Sequence, residues 1–326
     1  MTVFNNLKGI NQIFCNGKEI MTVRINNKAV FQNDRINPSY NYFVFDTKYV
    51  GTGSVTIALA NYRAGDYTSW DRKTDWGDGT VDTNYIHTYE EPGVYTVKTK
   101  WMIYHRSSFG TYSADPEARR ALVGCDNINK NITDVANLFS ACEHLKTVDM
   151  SRFRTDNITD MNRMFYNCVS LEELKNTGWD TSRVTNMSEM FNNCRKLSPK
   201  VDHFNVSSVT DMSSMFRGCK NLDGSQFKKW RPTSAEHFGY LFYDAIVTTN
   251  RLDLSGWNVS NINGFPYMFY NCEVCEKIDI SGWNIKSLAN VTNMFARTQC
   301  NYCKDLEHHV IHNNVPQTTW ERMKKG

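Results

Sequence analysis

The amino-acid sequence predicts a multidomain chain with an N-terminal β-meander, a β-sandwich, and an α/β solenoid of seven stacked coils. Three observations carry that expectation. A Met-Phe-type pair recurs at Leu138-Phe139, Met164-Phe165, Met190-Phe191, Met215-Phe216, Leu241-Phe242, Met268-Phe269 and Met294-Phe295. The phenylalanines stand 26, 26, 25, 26, 27 and 26 residues apart, and so regular a period marks a repeat architecture. Ahead of the repeat, strand-like runs such as Val55-Thr-Ile-Ala-Leu59 are punctuated by the tight turns Trp76-Gly-Asp-Gly79 and Pro92-Gly93. At the start of the chain, apolar and polar residues alternate around Asn16-Gly17 and Asn26-Asn27, a hairpin signal.

The elements follow in order. Residues 1–35 form the meander, too small to be stable alone and so suited to docking on a neighbour. Residues 36–123 form the sandwich, ending near Asp115-Pro116-Glu117, where a short helix can begin at Pro116. The coils occupy residues 124–304. Met187, Met190, Phe191 and Cys194 stand at i, i+3, i+4 and i+7, one side of a two-turn helix, with Asn186 placed to cap it, as Asp211 is in the next copy. Six residues past each early Phe comes Leu145, Leu171, Leu197 or Leu222, leading into a strand. Twelve residues before the Phe sits Phe153, Trp179, Phe204, Trp230, Trp257 or Trp283. No single coil buries its own apolar face, so neighbours must stack. Residues 305–326 are a cap or tail in which Thr318-Thr-Trp-Glu321 has capping-box spacing.

Gly178-Trp-Asp-Thr-Ser-Arg-Val-Thr-Asn-Met-Ser-Glu-Met-Phe-Asn-Asn-Cys194 and Leu254-Ser-Gly-Trp-Asn-Val-Ser260 closely resemble the BspA-like leucine-rich repeats of bacterial and phage surface proteins. That resemblance implies a leucine-rich-repeat-type solenoid used for adhesion or display rather than catalysis. Trp76-Gly-Asp-Gly-Thr80, followed by His87-Thr-Tyr89 and Pro92-Gly-Val-Tyr-Thr-Val97, resembles the PKD-like β-sandwich, a spacer or adhesion module. The first 35 residues are similar to short N-terminal modules of phage tail and fibre proteins.

Composition narrows the function classes. Lys and Arg number 37, Asp and Glu 34, for a net charge of +3, which gives no electrostatic reason to expect nucleic acid as a partner. No apolar run reaches membrane-spanning length, so membrane insertion is not expected. The first ten residues lack the charged start and apolar core of a secretion signal. That favours a virion protein assembled in the host cytoplasm over the alternative, a bacterial cell-surface protein.

Several residues invite a chemical reading. Cys272-Glu-Val-Cys275 and Cys300-Asn-Tyr-Cys303 are two Cys-x-x-Cys pairs one coil apart, able to hold a structural zinc tetrahedrally. The alternatives are thiols filling a reduced core, as Cys142, Cys168, Cys194 and Cys219 do at the same repeat position, or disulfides. No other cofactor is expected. His308, His309 and His312 lack the zinc-protease arrangement. Asp75 and Asp78 suit local backbone bonds in their turn, and the Asn-x-Ser/Thr sequons from Asn131 to Asn290 follow the repeat itself. Asp149, Asp202, Asp253, Ser255, Asp279 and Ser281 recur along the strand ladder and are candidate contacts for a host surface protein or glycan. Their alternative role is simple solvation of an exposed face.

No nucleophile elbow, phosphate-cradling loop or motif-anchored catalytic triad is present. The expectation is a non-enzymatic phage virion protein (fibre, decoration or tail-associated) bound to other virion proteins through residues 1–35, with assembly as a homo-oligomer open to it. The alternatives are a bacterial surface adhesin and a purely structural virion scaffold.

Overall fold

The computed structural model describes residues 41–59, 73–84, 86–99, 116–126, 135–274, 276–286, 289–300, 310–312 and 315–324, and the backbone of four short strands before residue 32. Those strands are β1 (Cys15–Asn16), β2 (Glu19–Ile20), β3 (Val23–Ile25) and β4 (Lys28–Phe31). They form two separate antiparallel pairs, β1–β2 and β3–β4, so the expected three-stranded meander is corrected. The two residues between β2 and β3 are Met21-Thr22. Neither favours the positive φ that a two-residue hairpin turn requires.

The next strands are β5 (Asn41–Asp46), β6 (Val55–Ala58), β7 (Thr74–Asp75), β8 (Val81–Asp82), β9 (Ile86–Tyr89) and β10 (Val94–Thr99). They are built around Trp76, which is fully buried. Its indole N–H donates to Asp82 Oδ1 at 3.0 Å, and the Tyr89 hydroxyl donates to its carbonyl at 2.8 Å. Among the described residues β6 and β9 form a two-stranded antiparallel sheet of their own, and the other sheet of the expected sandwich is not confined to this unit. Helix α1 (Pro116–Ala121), beginning at the proline, leads directly into β11 (Leu122–Asp126). Strand β11 pairs antiparallel with β5 on one side and parallel with β12 (Thr147–Asp149) on the other. With β13 (Glu173–Lys175) a single seven-stranded mixed sheet results, ordered β13-β12-β11-β5-β10-β7-β8. The first repeats and the preceding unit therefore share one sheet.

The expected α/β solenoid is also corrected. Between residues 135 and 300 no α-helix forms among the described residues. The segment holds strands of two or three residues in several small sheets and one 3-10 turn, Gly224–Phe227. The reason lies in the backbone two residues before and two after each repeat phenylalanine. Arg163 and Asn167 have φ of +54° and +57°, and Glu189 and Asn193 have +56° and +63°. The same two positions are left-handed around all seven phenylalanines. A right-handed helix cannot admit such residues.

The chain instead alternates two kinds of bond. The Arg163, Phe165 and Asn167 N–H groups donate to Ser188, Met190 and Asn192 carbonyls in the following copy, at 3.0, 2.9 and 2.8 Å. Between them, Met164 and Cys168 donate back to Met161 and Phe165, closing tight turns. Each left-handed residue costs roughly 1–2 kcal/mol, offset by inter-copy bonds of about 1 kcal/mol each and by the burial they permit. Asn186 Oδ1 accepts from Ser188 N–H and Asp211 Oδ1 from Ser213 N–H, at 3.0 and 2.8 Å. Both start Asx turns; neither caps a helix.

The inward face is nonetheless the one the sequence marks. The rings from Phe139 to Phe295 stand in a row, with centroids 5.5, 5.8, 5.9, 5.8, 5.7 and 5.0 Å apart. Beside them runs a column of buried thiols. Cys168, Cys194 and Cys219 each donate to the phenylalanine carbonyl one copy back, at 3.1 Å. A third column holds the tryptophans. Trp179, Trp230, Trp257 and Trp283 are buried and donate their indole N–H to Met150, Val201, Phe227 and Leu254 carbonyls, at 2.8 to 3.2 Å.

Strand pairing stops after β13, because the next copy places Pro199 where Glu173 stood and a proline has no N–H to donate. It resumes in two three-stranded parallel sheets. One is β14 (Ile246–Val247), β16 (Glu273–Val274) and β18 (Gln299–Cys300). The other is β15 (Arg251–Asp253), β17 (Lys277–Asp279) and β19 (Val310–Ile311). Helix α2 (Gln317–Lys324) covers the last copy. Trp320 meets Phe295 edge-on at 5.9 Å and stacks on His312, and Arg322 Nη2 donates to the Ala289 carbonyl at 2.7 Å.

Candidate functional site

The strand-ladder residues singled out in the sequence are largely engaged locally. Asp149 Oδ1 accepts from Ser151 N–H and Oγ, Asp253 Oδ1 from both groups of Ser255, and Asp279 Oδ1 from Ser281 N–H. Their second oxygens face cations: Lys175 at 3.2 Å from Asp149, Lys228 at 3.9 Å from Asp253, and Arg251 on Asp279. Asp202 is the exposed member and lies 3.9 Å from Lys229. The geometry makes this face a run of Asx turns. The sequons have the same cause, since Asn205, Asn258 and Asn290 each accept from the backbone N–H two residues on. In the earlier turn, Asp75 and Asp78 accept from Gly77 and Thr80 N–H in the same way.

These bonds carry a pH dependence. Burial alone would raise the Asp149 and Asp279 carboxyls. The serine bonds and the neighbouring cation outweigh it and hold both below the ordinary 3.8. A depressed folded value means the stabilisation is present above the unfolded pKa and is lost as pH falls through the folded one. We expect the melting temperature to drop below about pH 4 and Asp149→Asn to weaken that drop. An acid limb equally steep in the variant would remove Asp149 from the account.

Of the candidate zinc ligands, Cys272 is fully buried in the thiol column, and burial pushes it up to about 12. Strand β18 pairs with β16 so that Cys300 lies across from Val274, which does set the two Cys-x-x-Cys segments on neighbouring copies. Cys275 and Cys303 lie outside the described residues, as do His308, His309 and Asn131, and of Cys300 only the backbone is described. Among the described residues no group of three or more His, Cys, Asp or Glu is placed to hold a metal. Three of the four candidate side chains thus lie outside the described residues, and metal analysis of protein purified without chelator is the measurement that decides: a stoichiometry near zero would leave Cys272 a core thiol. A stoichiometry near one would support the zinc site.

A different surface gathers groups that the repeat does not require. It uses the residue after the phenylalanine and the left-handed residue two before it. Two adjacent copies fill both positions with tyrosine: Tyr240 and Tyr243, then Tyr267 and Tyr270. Tyr240 stacks on Tyr267 at 5.0 Å and Tyr243 on Tyr270 at 4.9 Å. Within each copy the two rings are 5.6 Å apart. The Arg217 guanidinium lies 4.7 Å over Tyr243 and that of Arg297 5.6 Å over Tyr270. The tyrosines are half-buried and both arginines exposed. Among the described residues none of the four phenol hydroxyls is hydrogen-bonded and neither arginine is paired with a carboxylate. Sequence reasoning fixed on the period and passed over this. The available signal was a bulky aromatic at a position that other copies give to Asn137, Arg163, Glu189, Ser214 or Asn293.

A fixed period, a continuous aromatic row and bonds between successive copies define a tandem-repeat protein. The chain belongs to the family described as "Mycoplasma protein of unknown function, DUF285". The family model matches residues 126–225, 171–277 and 196–309, together more than half of the 326 residues. No match was found among curated proteins or solved structures. Among the described residues no helix is long and apolar enough to cross a membrane.

Proposed function

We propose that the chain is a non-enzymatic surface-display protein, a phage virion component of fibre, decoration or tail-associated type, whose repeats bind a host surface. The observation that supports it best is how the repeat uses its residues. Apolar side chains, thiols and indoles are consumed in one uninterrupted interior, the acidic residues are tied into turns, and polar variation is left to the outer columns. That division suits presentation of a surface. The BspA-like resemblance of residues 125–304 supports display, the PKD-like turn at Trp76 supports a spacer, and the opening hairpins support docking on other virion proteins. The test is mass spectrometry of purified virions together with adhesion of the full chain to host cells. Virions without the chain would sink the placement, and absent adhesion would sink the host-binding role.

One observation favours a second reading. The family description names a mycoplasma, which supports a bacterial cell-surface adhesin. Neighbouring capsid and tail genes would favour the first reading, and a secretion locus the second.

A further inference from the structure

We propose that the surface formed by Tyr240, Tyr243, Tyr267, Tyr270, Arg217 and Arg297 binds an acidic glycan, a polysaccharide bearing carboxylate groups. The inference rests on reading the repeats as a binding surface and assigns that surface its ligand class.

Four features lead to it. The first is the expense of the arrangement. Tyr240 and Tyr267 have φ of +61° and +55°, a region that bulky side chains seldom adopt. The other five copies fill the position with asparagine, serine, arginine or glutamate and stack equally well, so an aromatic ring there is not required by the fold. The second is what the rings present. Tyr240, Tyr243 and Tyr270 are each covered by a stacked tyrosine and an arginine, which leaves little open ring face for a stacked nucleobase. The hydroxyls remain, in a grid two rings wide and two copies long, as donors and acceptors suited to sugar hydroxyls.

The third feature is charge placement. Arg217, Tyr243, Tyr270 and Arg297 form a column with steps of 4.7, 4.9 and 5.6 Å. A guanidinium held over a ring can still offer N–H groups to a carboxylate. Two cations at the ends of a pair of stacked phenols suit a sugar chain that carries repeated carboxylates. The fourth is the backbone. Tyr240 and Tyr267 N–H donate to Pro266 and Thr292 carbonyls, and Tyr243 and Tyr270 close local turns. None of these backbone donors is left for a peptide, so recognition falls to side chains.

The test is retention of the full chain on immobilised polygalacturonate, beside neutral dextran and poly-glutamate. Retention on polygalacturonate that weakens with added salt, with none on dextran, is the expected result. Arg217→Gln with Arg297→Gln should weaken it at least about tenfold. Tyr243→Phe with Tyr270→Phe, which keeps the stacking and the melting temperature, should weaken it several-fold. No retention on polygalacturonate, or retention untouched by either pair, overturns the proposal. Stronger retention on poly-glutamate also overturns it and points to an acidic protein partner. Adhesion to whole cells without polygalacturonate binding sinks the ligand class alone, whereas loss of cell adhesion sinks the display reading beneath it.

Discussion

Replacing Phe191 with alanine should cost roughly 3–5 kcal/mol, the range for truncating a fully buried aromatic that cannot be backfilled. Phe191 is fully buried and stacks on both sides, 5.8 Å from Phe165 and 5.9 Å from Phe216. Two faces of ring contact disappear together. The flanking backbones are tied by Phe165 N–H to Met190 O and Phe191 N–H to Met215 O, at 2.9 and 3.0 Å. Those bonds resist collapse into the cavity, so relaxation is limited. Because each copy touches only its neighbours, the damage is local and a single melting temperature understates it. Amide exchange should speed most between residues 161 and 219 and least near β5 and β10. Phe191→Leu should recover much of the loss. Uniform acceleration along the chain, or a loss under about 1 kcal/mol, would mean that the ring row does not organise the core.

Gly282→Ala should be the most damaging glycine substitution in the repeats. A Cβ there would lie 1.9 Å from the Ser255 carbonyl oxygen and 3.0 Å from its carbon. Both atoms are backbone, in the preceding copy, and no rotamer change can withdraw them. The copies would have to part, at a cost on the order of 3 kcal/mol or more. Gly178 repeats the contact more loosely, at 2.9 Å from Ser151 O, so its alanine variant should lose less. Gly256 meets only the Arg231 guanidinium, 2.7 Å away at the end of a movable side chain, and its variant should be nearly neutral. Denaturation midpoints in the order Gly282, Gly178, Gly256, worst first, are the expected result. Equal midpoints would refute the close-approach explanation.

These residues show how far the sequence could be read. The recurrence of Phe165, Phe191 and Phe216 named the interior, and the spacing to Trp257 and Trp283 named its second column, because burial requires apolar residues wherever the chain turns inward. Pro116 and the Thr318–Glu321 spacing pointed to the two α-helices found among the described residues. The conformation between Met187 and Cys194 was not legible. A two-turn helix and a turn of alternating handedness place i, i+3, i+4 and i+7 on the same side, and hydrophobic period cannot separate them. The left-handed residues Arg163, Glu189 and Tyr240 gave no hint, since their handedness is set by bonds to the next copy. The shared sheet was hidden for a similar reason: β11 meets β5 from more than seventy residues away, and no local signal encodes that pairing. The tyrosine–arginine surface was visible only as a departure from the repeat, which attention to the repeat conceals.

The direction of the turn bonds has a consequence for biosynthesis. Around each phenylalanine, the N–H groups that leave a copy point toward the one that follows, and the carbonyls point toward the one before. A ribosome releases the N-terminal copies first, so the nascent tip always carries bare amide donors, and each newly emerged segment delivers the acceptors that quench them. Elongation and the bonds around the phenylalanines thus share one polarity. A protein cut short within the array is left with orphaned donors around its last phenylalanine, which are tolerated less readily than orphaned carbonyls.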